Sequence, residues 1–73
     1  MGELAGISGK EAVRRFVKLG YIVARQKGSH VRLIDPTGYR GKLSVPLHRE
    51  LRIGLLKRLI RDAKSTPKEF LDY

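Results

Sequence analysis

Apolar residues recur along this chain with two periods, and the switches between them mark its elements. Val13, Phe16 and Val17 stand at i, i+3 and i+4, the spacing of one helix face. Lys10, Arg14 and Lys18 follow at i, i+4 and i+8 on another face. Ser8-Gly9-Lys10-Glu11 is a Ser-x-x-Glu capping pattern, in which the two side chains satisfy free backbone donors reciprocally. Gly20 suits the left-handed position just past a helix end. The spacing predicts an amphipathic helix over about residues 9–19.

The period then falls to two. Tyr21-Ile22-Val23-Ala24-Arg25 is rich in β-formers and predicts a strand, with Gln26-Lys27-Gly28 as the turn after it. In the second strand Val31 and Leu33 point one way while His30 and Arg32 point the other. Asp35-Pro36-Thr37-Gly38 carries turn chemistry. The third strand covers Lys42 to Val45, with Leu43 and Val45 inward and Lys42 and Ser44 outward. Pro46 ends its ladder or confines that point to an edge.

Helical spacing returns with Leu56, Leu59, Ile60 and Ala63, predicting a second helix from about Gly54, or slightly earlier, to Ala63. Thr66-Pro67-Lys68-Glu69 repeats the capping pattern and opens a short last helix carrying Phe70 and Leu71. The order α-β-β-β-α-α defines an α+β fold. Its three-stranded antiparallel meander has helices on one face only. No repeat, linker or low-complexity tract divides residues 1–73, so one domain is expected.

Pairing the second and third strands around the Asp35–Gly41 turn sets Ile34 opposite Lys42, Arg32 opposite Ser44 and His30 opposite Pro46. These residues share the helix-free face, and Val31, Leu33, Leu43 and Val45 take the other. If the third strand continues past Pro46, His48 lies diagonal to His30 at roughly 7–8 Å.

Composition narrows the function. A chain of 73 residues with 41% hydrophobic and 32% charged residues supports one small, marginally stable core. There is no cysteine, hence no disulfide or thiolate site. The start Met-Gly-Glu-Leu-Ala lacks the cationic and apolar regions of a signal peptide, and no run reaches membrane-spanning length, so a cytoplasmic protein without a membrane is expected. Sixteen Lys/Arg against seven Asp/Glu give a net charge of +9. That balance points to a polyanionic partner, RNA or DNA. Between Glu11 and Asp35 stand Arg14, Arg15, Lys18, Arg25, Lys27 and Arg32 without one acid.

Against that background the run Gln26-Lys27-Gly28-Ser29-His30-Val31-Arg32-Leu33 carries candidate chemistry. Histidine exchanges protons near neutral pH, Gly28 permits close approach of a ligand backbone, Ser29 offers a hydroxyl, and Lys27, Arg32 and Lys42 supply cations for phosphates. Local spacing leaves His30 open between an exposed histidine and a catalyst. His48 either caps a backbone group or pairs with Glu50, or completes an acid/base pair with His30. Tyr21 and Tyr39 suit base stacking or packing equally. Ser44 has no acid placed to complete a triad. Two histidines and scattered acids show no metal-ligand spacing, so no metal or cofactor is expected.

The segments Gly6-Ile7-Ser8-Gly9-Lys10-Glu11, Leu19-Gly20-Tyr21 and Arg25-Gln26-Lys27-Gly28-Ser29-His30 resemble the first half of HicA-type toxins of toxin–antitoxin pairs. Val45-Pro46-Leu47-His48-Arg49-Glu50-Leu51, Gly54, Arg61-Asp62-Ala63 and Glu69-Phe70-Leu71 resemble the second half. The resemblance implies a double-stranded-RNA-binding-domain-like fold and a prokaryotic, ribosome-independent mRNA interferase. It also implies His30 as catalytic residue and a HicB-type antitoxin partner covering the active face. Combined with the residues, it leads to an endoribonuclease that needs no metal, monomeric when free of antitoxin. The alternative is a non-catalytic RNA-binding module of the same fold. Family members usually carry Gly-Thr before the second helix and Ala-Gly-hydrophobic-Ser after it. Here Gly54-Leu55 and Ala63-Lys64-Ser65-Thr66 stand instead, so the helix lacks a hydroxyl cap, which Gly54 replaces, and a glycine at its exit.

Overall fold

A computed structural model describes residues 4–73. The chain forms α1 (Gly9–Leu19), β1 (Ile22–Lys27), β2 (His30–Ile34), β3 (Leu43–Pro46), α2 (Ile53–Asp62) and α3 (Pro67–Leu71). The strands build an antiparallel sheet in the order β1-β2-β3, which is the α+β order the periodicity predicts.

Each helix start has a local cause. Ser8 Oγ accepts the Glu11 N–H at 3.0 Å, and Thr66 Oγ1 accepts that of Glu69 at 3.1 Å. Only this half of each capping pattern forms, because the glutamates turn to other partners. Glu11 grips Arg14 and Arg15, and Glu69 accepts the Ser65 hydroxyl at 2.6 Å. The first helical N–H of α1, on Gly9, bonds the His48 carbonyl at 2.9 Å. A Cβ on Gly9 would collide with the Pro46 carbonyl oxygen and come within 2.8 Å of Leu47 Cα. Glycine at this position is therefore what lets the helix abut the strand.

The second helix begins at Ile53, within the expected range, and differs from expectation only in its cap. Arg52, not Gly54, precedes it, without a side-chain cap. Its exit keeps the geometry that glycine normally serves: Lys64 takes φ 54, its N–H bonds Arg61 O at 2.9 Å, and the Ser65 N–H reaches back to Ile60 O at 3.1 Å. Arg40 donates to the Ala63 carbonyl there. An ammonium–ring contact of 4.6 Å ties Lys64 to Tyr39.

Val31, Leu33, Leu43 and Val45 are buried beneath the helices together with Ala12, Phe16, Leu56, Leu59, Ile60, Ala63 and Phe70. One apolar expectation changes, and one open alternative is decided. Val17 is 44% exposed, because Ala12 and Phe16 centre the buried face of α1. Tyr21 is 1% exposed, packed edge-on to Phe16 with its hydroxyl donating to Gly41 O at 2.6 Å, so it does not present a stacking face. Tyr39 stays 62% exposed. Helices cover β2 and β3 only: every residue of β1 is exposed. Among the described residues, no helix is long and apolar enough to cross a membrane.

Candidate nucleic-acid interface and active site

The register of β2 and β3 pairs His30 with Pro46, Val31 with Val45, Arg32 with Ser44 and Leu33 with Leu43. That is the expected register from His30 to Leu33. It puts His30, Arg32 and Ser44 on the face without helices. Pro46, which lacks a donor, closes β3 on the sheet's edge, as proline requires.

The β1–β2 hairpin adds what the sequence reading leaves out. Its loop is Gly28-Ser29 alone, with Lys27 paired to His30 and Arg25 to Arg32. Gly28 takes φ 59, the positive φ that the first position of a two-residue type II′ turn requires. Gln26 and Lys27 are therefore strand and not turn. Because residues opposite each other share a face, Arg25 and Lys27 flank Arg32 and His30. A Gly-Ser pair between two β-rich runs was the signal available for this placement.

A bulge at Ala24 makes that arrangement compatible with the core. Tyr21, Val23, Arg25 and Lys27 share one parity, so an unbroken strand would send all four to one face. The register shifts between Val23 and Arg25. Val23 thereby pairs with Leu33 on the helix side, where it stays 51% exposed, while Arg25 and Lys27 stay on the open face.

Arg25, Lys27, His30, Arg32 and Ser44 line one depression of about 340 Å³ on this face. All five are exposed. Three cations, one imidazole and one hydroxyl, with no carboxylate among them, form a site for an anion. Gly28 and Ser29 supply its rim as the hairpin turn, and the Ser29 carbonyl accepts the Leu47 N–H at 2.6 Å.

Two expected site residues stand apart. Lys42 is exposed and precedes β3, outside the residues that line the depression. The extension of β3 that would bring His48 diagonal to His30 does not occur. After Pro46 the chain turns to bond the N-terminal segment, His48 O to Gly9 N and Leu51 N to Ile7 O at 2.8 Å. His48 caps a backbone group, but through its carbonyl. Glu50 accepts from Gly6 N at 3.1 Å.

The remaining cations divide by task. Arg14 and Arg15 clamp Glu11, whose carboxyl the Arg14 guanidinium, above all, holds at about 2. Arg15 also donates to the Phe70 and Leu71 carbonyls at 3.1 and 3.0 Å, capping α3. The Arg40 and Thr37 N–H groups hold the Asp35 carboxyl below its usual range. These arginines serve the fold, whereas Arg25, Lys27 and Arg32 face solvent around His30.

Fold and site together define a small α+β domain that presents a histidine among cations on a bare sheet face. A family model for the HicA toxin of bacterial toxin–antitoxin systems matches residues 9–64. The match spans α1 to the exit of α2, and the chain belongs to the HicA toxin family. No curated protein shows a significant sequence match to it. Membership implies a HicB-type antitoxin as partner.

Proposed function

We propose that this chain is a ribosome-independent endoribonuclease, an mRNA interferase, whose catalytic residue is His30. One observation carries the reading: the imidazole sits among Arg25, Lys27 and Arg32 around a single exposed depression. A scissile phosphate seated there meets fixed positive charge where its oxygens become more negative in the transition state. The ribose O2′ attacks phosphorus, forming the O2′–P bond as the P–O5′ bond breaks. The imidazole takes the O2′ proton as general base while water protonates the departing O5′, or as imidazolium it gives its proton to O5′ while water takes that of O2′. Such proton transfer is typically worth ~10²–10⁴-fold. The products are a 2′,3′-cyclic phosphate and a 5′-hydroxyl, and no step calls on a metal ion. Gly28 and Ser29 let the RNA backbone approach at the hairpin, and Lys42 extends the cationic track. His48 is left outside this reaction.

Replacing the 2′-hydroxyl by hydrogen at a mapped cleavage position tests this. Cleavage there should stop, while the all-ribose substrate is still cut in EDTA. Cutting of the deoxy-substituted position, or loss of cutting in EDTA, contradicts the mechanism. RNA that is bound but never cut returns the chain to a non-catalytic RNA-binding module.

A further inference from the structure

We propose that the outer edge of β1 takes an extended, acidic segment of the partner antitoxin as a fourth strand. The inference rests on membership of a toxin–antitoxin family for the existence of a partner, and on the structure for its place.

β1 is six residues long, contains no proline, and, among the described residues, has no strand on its outer side. Its backbone donors and acceptors along that edge are free to pair with another strand. The two sides of this edge differ in chemistry. On the helix side, Val13, Val23, Val31 and Leu47 with Lys10 and Gln26 line a groove of about 430 Å³. Val23 is 51% exposed there, and Val17 continues the apolar surface along α1. On the open side stand Arg25 and Lys27. The groove has no aromatic side chain to stack a base and a single cation for phosphate, so it suits a protein side chain and not RNA.

Period-two alternation then specifies the occupant. A strand added to β1 would send every second side chain into the groove, where apolar residues fit. The side chains between them would stand beside Arg25 and Lys27, where aspartate or glutamate fits. A second copy of this chain is a poor occupant, because each copy carries +9 and the edge cations would face one another. An acidic strand would instead compete with RNA phosphates for Arg25 and Lys27, silencing the depression without touching His30.

The test uses this chain and its paired HicB-type antitoxin, purified separately. Val23→Lys puts a charge into the groove at an exposed position and should weaken antitoxin binding at least tenfold, whereas Val23→Ile should bind like wild type. Amides of residues 22–27 should gain hydrogen-exchange protection in the complex. Unchanged affinity for Val23→Lys with the melting temperature preserved, or no gain of protection along β1, overturns the proposal. A free chain that dimerises through β1 overturns it too. Affinity and exchange are read without RNA, so a chain that fails to cleave RNA refutes the nuclease reading alone.

Discussion

At the residue scale, the side chains around the depression are exposed, whereas those that fill the core are buried. His30 packs against nothing in the core, so His30→Ala should leave the melting temperature unchanged. Arg25 is the residue whose loss should be felt next. Arg25→Ala should weaken RNA binding and leave His30 chemistry on bound RNA largely intact, raising KM more than it lowers kcat. Equal loss in kcat would assign Arg25 to the transition state alone. Tyr21 marks the opposite case. Burial pushes its phenol up to about 12 from 10.0, so the folded state holds that proton more tightly than the unfolded chain. The stability this contributes is complete below pH 10 and is lost as pH rises toward 12. Tyr21→Phe should cost about 1 kcal/mol at neutral pH by leaving Gly41 O unpaired. It should also flatten the alkaline decline in denaturant midpoints, and an unaltered decline would contradict this source.

At the scale of elements, the bulge in β1 is the device that puts Val23 on the helix side of the sheet and Arg25 and Lys27 on its open face. Deleting Ala24 leaves Tyr21, Val23 and Arg25 on their faces with the β1–β2 pairs kept, whereas inserting a second alanine preserves the faces but moves Tyr21 and Val23 two residues out of register with β2. The insertion should therefore lower the melting temperature more than the deletion, and the reverse order would contradict the register. At α1, Glu11 is held at about 2 against an ordinary 4.5. A depressed carboxyl stabilises the fold above its unfolded value, and that contribution is lost as pH falls from about 4.5 toward 2. Gly9→Ala should destabilise by about 1–3 kcal/mol or more through backbone overlap with Pro46 and Leu47.

Much of this was legible in the sequence. Helix and strand periods, caps and the β2–β3 register follow from side-chain spacing, which is local. Arg25 was not placed, because Gln26 and Lys27 look like turn residues until the two-residue Gly28-Ser29 loop is recognised. The position of His48 was not legible for a tertiary reason: the chain leaves β3 at Pro46 to cap α1, a bond between distant segments. Lys64 in a left-handed conformation shows that the exit of α2 is set by packing against Arg40 and Tyr39 despite the absent glycine.

At the scale of the whole molecule, the net charge of +9 includes arginines bound into the fold, Arg14, Arg15 and Arg40, and a cluster of exposed cations around His30. Three cations line the depression, so RNA affinity should fall with salt at a log–log slope near −2, from about 0.7 counterions released per single-strand phosphate. Arg25→Ala should reduce that slope by about 0.7, whereas a slope insensitive to Arg25, Lys27 and Arg32 would place RNA elsewhere. The most direct measurement is cleavage of one defined RNA by wild type and by His30→Ala, in EDTA, with product ends mapped and RNA affinity measured on the same preparations. Wild type should yield 2′,3′-cyclic phosphate ends, and His30→Ala should bind the RNA with similar affinity and leave it intact. Undiminished cleavage by His30→Ala would contradict the assignment of His30.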